Sequence, residues 1–153
     1  MRVLLVEDDP DKAQRLKEFV REEWAGAQID AATSVHSALK AICDPGRSYD
    51  LALLDMSMPN YDVSASEPSG GAPENFGGRE LLAQMKLRKR TVPSVVVTMF
   101  DGFGDGAGRV SLSDLDTMLA DRYGGFYLGY VYYDQAQESW KNSLREMIKG
   151  VMK

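Results

Sequence analysis

The sequence predicts an α/β fold with a doubly wound parallel sheet, and three observations carry that expectation. Strand-like and helix-like segments alternate five times along 153 residues, which demands parallel strands joined by right-handed crossovers. Two short runs, Val3 to Val6 and Leu51 to Leu54, are continuously apolar, as strands covered on both faces are. Both runs end in carboxylates: Glu7, Asp8 and Asp9 after the first, Asp55 after the second. The length suits one domain, 1–153, with a sizeable core.

The elements follow in order. After the first strand, Asp9 reads as an N-cap and Pro10 as the first helical residue. Ala13, Leu16, Phe19, Val20 and Trp24 continue at helical spacing to about residue 24. "AQIDAAT" is a weak second strand. "SVHSALKAICDPG" is a helix capped by Ser34 and stopped by Pro45 and Gly46. "YDLALLD" is the third strand, and "GGRELLAQMKLRKR" a helix with Leu81, Leu82, Met85 and Leu87 facing inward. "VPSVVVTM" is a β-branched fourth strand. "SLSDLDTMLADRYG" is a helix capped by Ser111 or Ser113, "GFYLGYVYY" the fifth strand, and "DQAQESWKNSLREMIKGVMK" an amphipathic helix capped by Asp134. Two stretches break the rhythm as insertions, about 60–77, rich in Ser, Gly and Pro, and about 99–110, rich in Gly.

Composition excludes several classes of function. With 23 acidic against 18 basic residues the net charge is −5, which does not suit a nucleic-acid surface. The basic run Lys86 to Arg90 reads as a helix C-terminus complementing its dipole. No run is long enough for a leader or a membrane span, and the single cysteine, Cys43, permits no internal disulfide. A cytoplasmic, membrane-free setting is the expectation. His36, the one histidine, lies on a helix away from the acidic strand ends, and Cys43 reads as a small core residue. The glycine-rich "DGFGDGAG" lacks the terminal Lys-Ser/Thr of a P-loop and the ligand pattern of an EF-hand, so it reads as a rim loop.

In an open parallel sheet, ligands bind at the carboxyl ends of the strands. Glu7, Asp8 and Asp55 would meet there if the first and third strands are neighbours, with Thr98 ending the fourth. Carboxylates that close repel unless a cation joins them, and an all-oxygen cluster suits Mg²⁺. An aspartate at a strand tip can then accept a phosphoryl group as a carboxylate nucleophile.

"VLLVEDDP", "YDLALLDMSMP" and "VPSVVVTM", in this order and spacing, resemble the receiver domain of two-component response regulators over nearly the whole chain. The resemblance implies a flavodoxin-like sheet of order 2-1-3-4-5, with the two insertions beside the active-site edge. It makes Asp55 the phosphoacceptor. Glu7, Asp8, Asp55 and the backbone carbonyl of Ser57 become the Mg²⁺ ligands, Thr98 the phosphoryl contact, and Tyr127 the aromatic that changes rotamer with Thr98. A histidine kinase or phosphotransfer protein is the implied donor, with a downstream protein target and no nucleic acid. Receivers usually carry a lysine three residues after the aromatic, followed by proline; here Tyr130 and Val131 stand there. Met99 replaces the usual small residue after the Thr. Arg79 and Arg109, bordering the insertions, are candidates to replace the lysine's charge. The alternatives are a pseudo-receiver binding proteins without phosphorylation and, less in keeping with Met56 and Ser57 after Asp55, a Mg²⁺-dependent phosphohydrolase.

Overall fold

The computed structural model describes residues 1–57, 77–100, 102, 103 and 109–151. Much of the first insertion lies outside them, as do residue 101 and residues 104–108 of the second. The described elements are β1 (Arg2–Val6), α1 (Pro10–Glu23), β2 (Gln28–Ala32), α2 (Val35–Ile42), β3 (Leu51–Leu54), α3 (Gly77–Leu87), β4 (Ser94–Thr98), β5 (Gly102–Phe103), β6 (Val110–Ser111), α4 (Leu112–Tyr123), β7 (Tyr127–Tyr132) and α5 (Ser139–Lys149). Five parallel strands form the main sheet in the order β2-β1-β3-β4-β7. Counted within that sheet alone, the order is 2-1-3-4-5, as expected. The chain adds strands to one side of β1 and then, from β3 on, to the other, so the switch in strand order falls between β1 and β3, where the acidic residues lie.

Alternation along each strand sorts the side chains into two cores. Leu4, Val6, Ala52, Leu54 and Val96 pack beneath α2, α3 and α4. Val3, Leu5, Leu51, Leu53, Val95 and Val97 pack beneath α1 and α5 with Phe19, Trp140, Leu144 and Ile148. Every residue of β3 and β4 is buried, which explains why these strands read as continuous apolar runs.

The caps at Asp9 and Ser34 form as the sequence indicates, and of the two candidates Ser111 and Ser113 it is Ser111 that caps α4. Asp9 accepts from the amides of Asp11 and Lys12, Ser34 and Ser37 make a reciprocal capping box, and Ser111 accepts from Asp114 N. Four expectations are corrected. Asp134 does not cap α5: its Oδ1 accepts from Ala136 N in a local turn, and the helix starts at Ser139. Leu87 is 76% exposed, because it sits two residues past Met85 and so on the opposite side of α3. Cys43 is only half-buried, at the C-terminal end of α2. The second insertion contains an antiparallel pair, Gly102↔Ser111 and Phe103↔Val110, with Val110 packed against the α4-side core. Among the described residues no helix is long and apolar enough to cross a membrane.

Candidate functional site

Register fixes what meets at the carboxyl edge. Val6 pairs with Leu54, so Glu7 and Asp55 leave neighbouring strands at the same level. Leu54 pairs with Val96, so β4 runs on to Thr98 alongside. One carboxylate oxygen from each of Glu7, Asp8 and Asp55 lies within 4.8 Å of the others. Glu7 and Asp55 are buried, while Asp8 is exposed. Ser57 follows two residues beyond Asp55, half-buried. Asp9 is the helix cap, as expected, and its own amide donates to Glu7 Oε1 at 3.0 Å.

The strand tip bearing Asp55 is pinned by α3. Gly78 N donates to Met56 O, and a Cβ on Gly78 would stand 2.7 Å from Asp55 O. Only glycine lets the helix come this close to the strand end. Met56, fully buried in the α4-side core, anchors the next residue.

A fourth charged group was not singled out from the sequence. Lys12, in the first turn of α1, is 1% exposed. Its Nζ lies 2.6 Å from Glu7 Oε2, 2.6 Å from Val97 O and 3.5 Å from Asp55 Oδ1. One ammonium thus joins the tips of β1, β3 and β4. Helical side chains tilt toward the N-terminus, so a first-turn residue of a helix starting at this edge leans back over it. Lys12 thus places a cation at the carboxylates, and the Arg109 guanidinium lies against Gly102. The signal was present in the sequence: Lys12 occupies the stripe of Leu16, Phe19 and Val20, and an ammonium on a buried stripe requires a partner.

Burial pushes the Glu7 carboxyl up to about 7, with Lys12 opposing and Asp55 adding to the rise. Burial raises Asp55 too, Lys12 again opposing and Asp8 reinforcing. A carboxyl whose folded pKa lies above its unfolded value favours the native state most at low pH and loses that contribution as pH rises toward about 7. Between about pH 5 and pH 8, without divalent metal, the wild type is expected to lose several degrees of melting temperature more than Glu7→Gln does. Parallel melting curves for the two would contradict this.

The fifth strand of the main sheet corrects two placements. Ser94 pairs with Tyr127, Val95 with Gly129, Val96 with Tyr130 and Thr98 with Tyr132. Tyr127, expected as the partner of Thr98, therefore lies four residues away along β4, about 13 Å at strand rise. Its hydroxyl donates to Asp116 Oδ1 of α4 at 2.6 Å, and burial with that bond raises its pKa. Tyr130, expected at the cation position, lies opposite Val96 and packs on the α4-side core. The cause is a bulge: the register slips between Ser94 and Val95, where Gly129 takes φ +141°. The slip puts Tyr127 and Tyr130 on one face and Val131 and Tyr133 on the other.

Tyr133 N donates to Thr98 O at 2.8 Å, just beyond β7, and its buried ring lies 5.8 Å from Lys12 Nζ. Thr98 is fully buried; its Oγ1 accepts from Phe100 N, which leaves the hydroxyl proton to donate. Met99 joins the α1-side core and accepts from Gln135 Nε2 through its sulfur.

A flavodoxin-like sheet with an acidic cluster at the β1/β3 switch point defines a receiver-type signalling domain. The chain belongs to the response regulator receiver family. The family's receiver-domain model matches residues 3–64. The chain is 30% identical over 145 residues to y4jR, an uncharacterised protein of Sinorhizobium fredii, covering 95% of each. It is 29% identical over 148 residues to the Detocs response regulatory protein DtcB of Enterobacter cloacae, covering 97% of this chain and 98% of the relative. The fold resembles the response regulator TrrA of Thermotoga maritima, solved in complex with Mg²⁺-BeF, with a TM-score of 0.59, 22% identity and coverage of 95% and 97%.

Proposed function

We propose that this chain is a phosphoacceptor receiver in a histidine–aspartate phosphorelay, taking its phosphoryl group on Asp55 and signalling by docking to other proteins. The observation that carries this reading is the convergence of Glu7, Asp8 and Asp55 within 4.8 Å on adjacent strand ends. The residues fit a hard divalent cation. Three carboxylates gather beside the Lys12 ammonium, and buried Asp55 Oδ1 receives no hydrogen bond among the described residues. Glu7, Asp8, Asp55 and the Ser57 carbonyl would hold Mg²⁺. Bound there, the ion would neutralise charge on the transferring phosphoryl oxygens.

This chain's own residues do the rest. A carboxylate oxygen of Asp55 attacks phosphorus on the donor phosphohistidine; the O–P bond forms as the N–P bond breaks. The bonding pair stays on the imidazole nitrogen, which takes a proton from water. Thr98 donates its hydroxyl proton to a phosphoryl oxygen. Tyr130, on the α4 side of β7, is the aromatic placed to respond, and Tyr133, three residues on, stands where receivers usually carry lysine. The donor is a histidine kinase or phosphotransfer protein of the cytoplasm, and the output is a protein target. The response-regulatory name of the Enterobacter relative and the Mg²⁺-BeF complex of the Thermotoga structure support this assignment.

Incubation with Mg²⁺ and acetyl phosphate should add one base-labile phosphate, located on Asp55 by mass spectrometry; a label elsewhere, or none with any donor, rejects the proposal. The metal is tested separately. Millimolar Mg²⁺ should raise the melting temperature by several degrees, because it binds the native cluster and not the unfolded chain. Asp8→Ala should lose most of that rise, and an equal response in both proteins would remove Asp8 from the metal site.

A further inference from the structure

We propose that Lys12, from the first turn of α1, is the cation that pairs with the transferred phosphoryl group, in place of the strand lysine usual in receivers. The inference rests on the receiver reading above. Tyr133 occupies the strand position, is neutral, and is buried with its ring 5.1 Å from that of Trp140. Lys12 brings its ammonium to the same place from the opposite side, 5.8 Å from the Tyr133 ring centroid and 3.5 Å from Asp55 Oδ1. One residue has lost the charge and its neighbour in space supplies it.

The geometry suits the role better than a packing role. The Lys12 stripe is otherwise apolar, and burying an ammonium there costs more than burying leucine or methionine would. Two of its contacts tether it: Val97 O and Glu7 Oε2, each at 2.6 Å. The third, to Asp55 Oδ1, is longer than a hydrogen bond. That leaves Nζ fixed beside the nucleophile with a donor direction open to an incoming oxygen. Transfer makes the need for charge greater. The carboxylate of Asp55 carries one negative charge, and the acyl phosphate that replaces it carries up to two. Asp55 forms the O–P bond, the donor nitrogen keeps the electrons of the broken N–P bond, and Lys12 keeps all its protons. Charge-assisted bonds to such oxygens are roughly twice as strong as neutral ones, so a tyrosine hydroxyl would not substitute.

Labelling rate, phosphoryl half-life and beryllofluoride affinity with Mg²⁺ are to be compared in wild type, Lys12→Gln, Lys12→Arg and the double variant Lys12→Gln/Tyr133→Lys. Glutamine keeps a donor for Val97 O and removes only the charge. Labelling at least tenfold slower and beryllofluoride binding at least tenfold weaker are expected in Lys12→Gln, with the Mg²⁺ melting shift retained. Partial activity is expected in Lys12→Arg, and recovery in the double variant, whose ammonium returns from the strand. Wild-type labelling by Lys12→Gln overturns the role of Lys12 and leaves the receiver reading standing. A wild type that neither labels nor binds beryllofluoride overturns both. Should Lys12→Gln not fold, the double variant decides: labelling within threefold of wild type supports the role, and a folded double variant that does not label overturns it.

Discussion

Asp55→Asn is expected to accept no phosphoryl group while melting at or above the wild-type temperature. The amide is nearly isosteric and cannot act as a carboxylate nucleophile, so labelling should fall below detection. The stability expectation follows from the charges around it. Glu7, Asp8 and Asp55 stand together beside Lys12, and burial already pushes Asp55 toward its neutral form. Removing one negative charge from the cluster relieves repulsion, and Lys12 keeps its contacts to Glu7 Oε2 and Val97 O. The gain should appear without Mg²⁺ and shrink with it, since the ion offsets the same repulsion in the wild type. Melting curves with and without Mg²⁺, run beside the labelling assay, check both parts. An Asn variant that labels would place the acceptor elsewhere. One that melts far below wild type would mean the Lys12–Asp55 attraction outweighs the carboxylate repulsion.

The largest loss of stability is expected from Trp140→Ala. Trp140 is 1% exposed in the core beneath α5, with ring centroids 5.1 Å from Tyr133 and 5.6 Å from Phe19. Arg15 and Lys141 lie over its ring at 5.8 and 5.7 Å. Its Nε1 makes no hydrogen bond among the described residues, so truncation removes apolar contact and leaves a cavity. Such changes cost about 3–5 kcal/mol, here a fall on the order of 10 °C in melting temperature. Tyr132→Ala, at a half-exposed ring at the end of β7, should cost less than about 1 kcal/mol. Urea unfolding of the two variants measures the difference, and similar costs would show that α5 is not held by this ring. Because Trp140 backs Tyr133, and Tyr133 lies against Lys12, the variant should also weaken phosphorylation at temperatures where it remains folded.

Much of this protein is decided by local sequence. Val3 to Val6 and Leu51 to Leu54 can only be strands covered on both faces, and each ends in carboxylates because the apolar run stops there. Asp9-Pro10, Ser34 and Ser111 start helices by chemistry that acts within three residues, so they were legible without any fold. Glu7, Asp8 and Asp55 were legible as a cluster once alternation of strand and helix implied a parallel sheet, since such a sheet gathers all its strand ends on one edge. What depends on long-range packing was not. The first helix shows its apolar stripe, but only the fold reveals that Lys12, 43 positions before Asp55, reaches across three strand ends to Val97 O. The β7 register was hidden for a related reason. Five aromatics in eight residues offer several equivalent alignments, and a bulge at Gly129, set by pairing with β4, selects among them. A one-residue slip changes which face each later side chain meets. Sequence thus determined the fold and the acidic edge, while tertiary structure decided which cation and which tyrosines share that edge, because those contacts join segments that local propensity cannot bring together.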